Sequence, residues 1–210
     1  MKTVFYWARW NEQVSYSYNY MDELDSTYVY NFNQNPVAGK IYSYEIVHPD
    51  YEAVRAETTV PAAVKLNVND VTLLLEEDDE KHYRVRFSFN DAPEDNFYRL
   101  RLRNQNAYYD RFDYFESNDA SMISSAGLQS DGVTFYGDEA LFDDEMFNGT
   151  EKEISIDFFA YNKPFWFEEP DDDFETEYTL ELTSVSESYY TYIRSLRAHY
   201  DNQDQFIFCW

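Results

Sequence analysis

The chain has 210 residues, with 41 acidic against 16 basic and a formal charge of −25. That balance opposes nucleic acid and anionic membrane surfaces as partners, because both are polyanions, while a 44% hydrophobic content excludes a disordered chain. The single cysteine, Cys209, excludes an intramolecular disulfide and a Cys-based zinc site, and no apolar run reaches the roughly 18 residues of a transmembrane helix.

Aromatic residues are abundant, with 21 Tyr, 17 Phe and 4 Trp; tyrosine suits a half-buried pleated surface, its ring inward and its hydroxyl in water. With five glycines in all, turns fall to Asn, Asp and Pro. The start, MKTVFYWARWNEQ, lacks the long apolar core and small-residue cleavage site of a secretory signal, so the chain is expected either to be cytosolic or to lack its true beginning.

In chain order, period-two alternation predicts strands at 3–10, 14–20, 27–33 and 40–47, with aromatic residues alternating against Ser, Thr or Asn in VSYSYNY and TYVYNFN. Pro36 and Gly39 mark a turn before the fourth strand, and His48-Pro-Asp a turn after it. VRAETTV (54–60) is a fifth strand, closed by Pro61. VTLLL (71–75) and HYRVRFSF (82–89) flank the acidic tip Glu76–Glu80, too charged to bury. NDAPED (90–95) links to FYRLRLR (97–103), read as the partner of 82–89 in one hairpin. The polar segment 104–132 is too long for a hairpin loop and has room for a short helix. VTFYG (133–137) and EISIDFFAY (153–161) are further strands, and the loop 162–173 leads into TLELTSVSESYYTYIRSLRAHYD, where a period of two gives way to a helical one.

The helix, about 185–200, has Ser184 and Glu187 at capping-box spacing, and Arg194, Arg197 and His199 complement the negative end of its dipole. Its stripe predicts Tyr189, Ile193 and Leu196 buried on a sheet, with Glu187, Arg194 and Arg197 exposed. The elements together predict an all-β, Ig-like or fibronectin-like β-sandwich assembly with one C-terminal helix packed on a sheet. The domains are read as 1–66, an N-terminal β-sandwich, and 67–210, a second β domain carrying the helix.

Four groups of residues, in order, carry a resemblance. They are Gly39-Lys-Ile-Tyr-Ser-Tyr-Glu with His48-Pro-Asp-Tyr and Ala56-Glu-Thr-Thr-Val-Pro61; Val85-Arg-Phe-Ser-Phe-Asn-Asp91 with Asp95-Asn-Phe-Tyr-Arg-Leu100; Phe142-Asp-Asp-Glu-Met-Phe-Asn-Gly149; and Leu182-Thr-Ser-Val-Ser-Glu-Ser-Tyr-Tyr-Thr-Tyr-Ile-Arg-Ser-Leu196. Over about residues 39–200 the chain resembles a domain-of-unknown-function family of Bacteroidota cell-envelope lipoproteins, often encoded beside TonB-dependent outer-membrane receptors. The family's lipoprotein signal and lipidated cysteine have no counterpart here, nor does the strand-bearing segment that follows its helix. The resemblance implies an envelope protein, at the outer-membrane surface or in the periplasm, that acts with a transporter. It supplies no catalytic residues.

Chemistry read from the residues themselves is sparse. No G-x-S-x-G, H-E-x-x-H, P-loop or G-x-G-x-x-G pattern occurs, and His48, His82 and His199 are scattered over a turn, a strand edge and a helix end. Acidic clusters at Glu76–Glu80, at Asp138, Glu139, Asp143, Asp144 and Glu145, and at Asp171–Asp173 read as solvated loops. Calcium at Asp138–Glu145 is the alternative, although EF-hand spacing is absent. Phe165, Trp166 and Phe167 either bury as a strand end or stand out as a knob for a partner protein or a sugar face. In 82–89 and 97–103 the residues opposite the apolar set are Arg84, Arg86, Arg99, Arg101 and Arg103, five of the sixteen basic residues. Such a row needs anionic neighbours: either Glu153 and Asp157 or Glu177 and Glu181 on adjacent strands, or an external anion. The expected function is a non-catalytic envelope binding protein, accessory to a TonB-dependent transporter and needing no cofactor. A glycan-binding module using exposed aromatic residues is the alternative, and a secreted hydrolase stands third.

Overall fold

A computed structural model of the protein describes residues 11–18, 24–31, 36–48, 50–77, 80–105, 110–126, 129–161 and 176–204. The strand expected at 3–10, the loop with Phe165, Trp166 and Phe167, and Cys209 lie outside the described residues. The chain divides into two units, Met1–Val60 and Pro61–Trp210. The division falls slightly before the expected boundary at residue 66 because Val64 and Leu66 pack against the core of the second unit.

In the first unit, β1 (Asn11–Tyr18) pairs antiparallel with β2 (Leu24–Asn31), and β3 (Ile41–His48) with β4 (Tyr51–Thr59). Among the described residues these are two separate two-stranded sheets, where a sandwich of its own was expected. Gly39, at φ 74°, supplies the left-handed turn residue before β3, and its amide bonds to the Val60 carbonyl at 2.8 Å, closing the base of the second hairpin.

The second unit is a two-layer sandwich. One layer comprises β5 (Asn67–Glu77), β6 (Glu80–Asn90), β9 (Phe115–Ser117), β10 (Phe135–Gly137) and β12 (Glu151–Tyr161), in the order β10-β9-β12-β6-β5. The other has β7 (Phe97–Gln105) at its centre, with β13 (Glu177–Val185) on one side. β11 (Glu139–Asp143) and β8 (Asp110–Asp113) pair with successive stretches of β7, end to end. A short helix, α1 (Ala120–Ser125), capped by the Asp119 carboxylate, lies within the polar 104–132 segment, and α2 (Glu187–Asp204) follows β13.

The alternating apolar residues fill the space between the layers. Register places Phe87 against Ile154 and Val85 against Ile156 in one sheet, and Leu100 against Leu182 and Tyr98 against Phe142 in the other. Phe89 meets Tyr98 across the layers, rings 5.0 Å apart and nearly edge-on, and Phe158 meets Tyr178 at 4.9 Å. Such aromatic pairs add to the burial term.

One strand pairing differs from the expectation. β6 and β7 are not a hairpin: β6 pairs with β5 and β12, and β7 belongs to the opposite sheet. Two strands that each carry an unbroken apolar face cover one another when stacked face to face, whereas side by side both would need a further layer to cover them. Residues 91–96 therefore cross between layers. A hairpin would set Arg86 beside Arg99 and Arg84 beside Arg101; instead the arginines form two rows on opposite outer faces. The segment between 137 and 151, read as an acidic loop, also contains a buried strand, β11, whose Ala140, Leu141 and Phe142 are almost fully covered.

Candidate functional site

The arginine rows are neutralised largely by the neighbouring strands. Arg84 on β6 reaches Asp157, its partner on β12, through two hydrogen bonds of 2.7 and 2.6 Å; that fork holds the guanidinium charged, its pKa raised. On β7, Arg101 donates to Glu181 at 2.9 Å, the residue opposite it on β13. Arg103 binds Asp110 of β8 through Nε at 2.7 Å, and that hydrogen bond keeps the Asp110 carboxyl below its ordinary range. Arg99 reaches the Tyr189 hydroxyl at 3.0 Å and lies 3.9 Å from Glu139. Asp157 and Glu181 are the carboxylates expected from strand alternation, whereas Glu139 and Asp110 come from strands that the sequence did not reveal. Arg86 stands exposed, with no ion pair among the described residues.

The outer face of the β7 sheet is where α2 docks, and it docks by polar contacts. Arg197 donates to the Glu139 side chain at 3.0 Å and to its backbone carbonyl at 3.2 Å. Tyr190 is 4% exposed; its ring lies 4.8 Å from Phe97, and its hydroxyl donates to Asp143 at 2.8 Å. The same oxygen accepts from Arg194 at 3.1 Å and sits 3.1 Å from Ser125 of α1. Burial pushes the Tyr190 phenol up, with Asp143 adding to the effect and Ser125 opposing it, so it remains a donor through neutral pH.

The expected face is thus rotated. Tyr190, between the expected anchors, is the buried residue; Tyr189, Ile193 and Leu196 are half-buried, and Arg197 is drawn in by Glu139. The cap differs as well: Ser186, not Ser184, receives the Tyr189 amide, at 3.3 Å, because Ser184 is still held in β13 opposite Tyr98. Three N–H groups here have no partner among the described residues: Arg99 Nε, Arg101 Nε and Arg197 Nη1.

The residues read as a calcium site do not share one task. Glu139 holds Arg197 and Asp143 holds Tyr190, while Asp144 is buried and accepts the Asn96 amide at 2.8 Å. Among the described residues no three acidic, histidine or cysteine side chains gather in a metal-holding group.

Asp144 belongs instead to a junction between two loops, 91–96 and 144–150. Asp91 accepts from the Tyr98 hydroxyl and from the Gly149 amide, the latter at 2.7 Å. Asp91 N–H bonds the Thr150 carbonyl at 3.0 Å, and Asp144 N–H bonds the Asn96 carbonyl at 3.2 Å. Gly149 has φ 70°, a left-handed backbone that favours glycine, while a Cβ there would only touch the Pro93 Cα at 3.4 Å. The quoted NDAPEDNFY and FDDEMFNG stretches meet here, an arrangement that no spacing within either one reveals.

Burial raises the Asp144 carboxyl above its ordinary value, Asp91 adds to this, and the Asn96 hydrogen bonds oppose it. A carboxyl raised in the folded state contributes stability fully present below its unfolded pKa, about 3.9, and lost as pH rises through the folded value. Asp144→Asn should flatten the stability profile in that window. Relative to the parent chain, the variant should gain most at pH 7 and least near pH 4 in urea titrations. A constant offset across that range would show that Asp144 carries no linked proton.

A further feature lies at the far edge of the other sheet. Tyr114 and Tyr136, 56% and 55% exposed, stack with ring centroids 5.2 Å apart. Pairing of β9 with β10 brings them together, and nothing in either local pattern marks them.

No curated protein and no solved structure matches the chain. The family model described as a domain of unknown function, DUF4249, matches residues 3–208. The loop junction, the two sheets and the polar-docked helix all fall within that span, and the chain belongs to the DUF4249 family.

Proposed function

We propose that the chain is a non-catalytic binding protein of the cell envelope that acts beside a TonB-dependent outer-membrane transporter. The observation that carries the non-catalytic part is the loop junction, where the Asp91 and Asp144 carboxylates, the Tyr98 hydroxyl and Asn96 are bonded to one another and to backbone. The most distinctive polar motifs are thereby spent on holding two loops together. The envelope and transporter part rests on the resemblance in those same motifs. The strongly acidic surface suits a protein partner with basic patches, and the reading assigns no cofactor to the chain. Affinity-tagged protein, cross-linked in the envelope of its own host, should bring down a TonB-dependent receptor in comparable amount. Fractionation with the cytosol and no receptor recovered would sink the reading.

The exposed Tyr114–Tyr136 pair favours a second reading, a glycan-binding module, because flat exposed rings stack on sugar faces. On a carbohydrate array this reading expects binding that Tyr136→Ala abolishes while the melting temperature stays unchanged. An empty array removes it.

A further inference from the structure

We infer that β5, the open edge of the five-stranded sheet, is a docking site for an extended basic segment of a partner protein, which adds to the sheet as a sixth strand. The inference does not depend on the transporter reading. β5 ends the strand order and pairs only with β6 among the described residues, so on its far side no described strand meets its backbone N–H and C=O groups, the template for strand addition. It runs 11 residues, an edge of roughly 35 Å at the usual rise. The opposite edge strand, β10, has three.

Soluble proteins usually blunt such an edge with charged side chains (lysine above all), proline, brevity or bulges. Of these, β5 has its carboxylates and two bulges that leave four residues between them regular. NVNDVTLLLEE contains neither lysine nor proline, and its apolar side chains stand open, with Val71 57%, Leu73 44% and Leu75 50% exposed. Register shifts occur between Val68 and Asp70 and between Leu73 and Leu75. Asn69 and Leu74 are thus the extra residues, and Asp70–Leu73 is left as the regular window for a partner strand.

The occupant follows from charge. β5 carries Asp70, Glu76 and Glu77 and no basic residue. Arg86 stands opposite Asp70 on β6, Lys81 lies 3.2 Å from Glu76, and Glu77 faces Glu80, so the acidic excess is greatest at the Glu77 end. A second copy of the chain would double these carboxylates along one seam, which opposes self-pairing. A strand alternating Lys or Arg with aliphatic residues would complement both the charge and the exposed Val71 and Leu73.

The test uses the full chain and an acetylated Lys-Val-Lys-Val-Lys-Val-Lys peptide, read by fluorescence anisotropy and amide hydrogen exchange. Binding should protect the outward-pointing amides within Asp70–Leu73, those that do not already bond to β6. A Glu-for-Lys peptide, and a Lys-Val peptide N-methylated at alternate residues, should each bind at least about tenfold more weakly, a loss of about 1.4 kcal/mol. Leu74→Lys and, independently, Asp70→Lys should weaken binding of the parent peptide to a similar degree, with thermal melts confirming that each variant is folded. Equal binding of the N-methylated peptide would show general adhesion to an acidic protein and overturn the inference. So would absence of binding, outward-pointing β5 amides already protected in the free chain, or a dimer in sedimentation that Leu74→Lys dissociates.

Discussion

Tyr190→Ala should lower the unfolding free energy by about 3–5 kcal/mol, the range for truncating a buried aromatic side chain. The ring is almost fully covered and packs on Phe97, and its hydroxyl joins Asp143, Arg194 and Ser125. Truncation therefore opens a cavity and strips Asp143 of a donor at the same site. Tyr190→Phe keeps the ring and removes only the shared hydroxyl, so about 1–2 kcal/mol is expected. Leu196→Ala, at a half-buried position, should cost less than about 2 kcal/mol. Urea titrations of the three variants order these effects. If Leu196→Ala cost as much as Tyr190→Ala, the helix would be held by its apolar stripe and not by the tyrosine hub.

Asp91→Ala should cost about 1–3 kcal/mol, because it leaves the buried Tyr98 hydroxyl without its acceptor and frees the partly buried Gly149 amide. Tyr98 is fully buried, and burial first and the Asp91 bond second push its phenol well up, so it stays a donor at any working pH. Asp91→Asn keeps an acceptor oxygen and should recover part of the loss. Hydrogen exchange offers an independent readout: the Thr150 and Phe147 amides, bonded within the same junction, should exchange faster in Asp91→Ala. A loss under about 1 kcal/mol with unchanged exchange would show that packing alone joins the loops.

The long strands were legible in the residues themselves, because the side-chain period of two is a local property of the backbone, while the short β8 and β9 were not. HYRVRFSF, FYRLRLR and EISIDFFAY appear as β6, β7 and β12 with the expected faces inward. The carboxylate partners Asp157 and Glu181 were legible for the same reason, since outward residues on neighbouring strands must face one another. β11 was not, because DEALFDDEMFNG is acidic on average. Its burial comes from three residues, Ala140, Leu141 and Phe142, pressed between β7 and the flanking elements.

Partner choice was decided in three dimensions. A strand's alternation states which side is apolar but not whether its neighbour lies beside it or across the core, so β6 and β7 read as a hairpin and stand in opposite layers. The helix shows the same division. Its existence followed from a 3.6-residue rhythm, yet its docking face was set by Glu139 and Asp143 on a strand nearly fifty residues earlier, and their charges drew in Arg197 and Tyr190. The Asp91–Gly149 contact spans 58 residues, and the Tyr114–Tyr136 stack depends on β9 meeting β10. Local patterns record each residue's preference for water or core; hydrogen-bond and charge partners distant in the chain become neighbours only once the layers have closed.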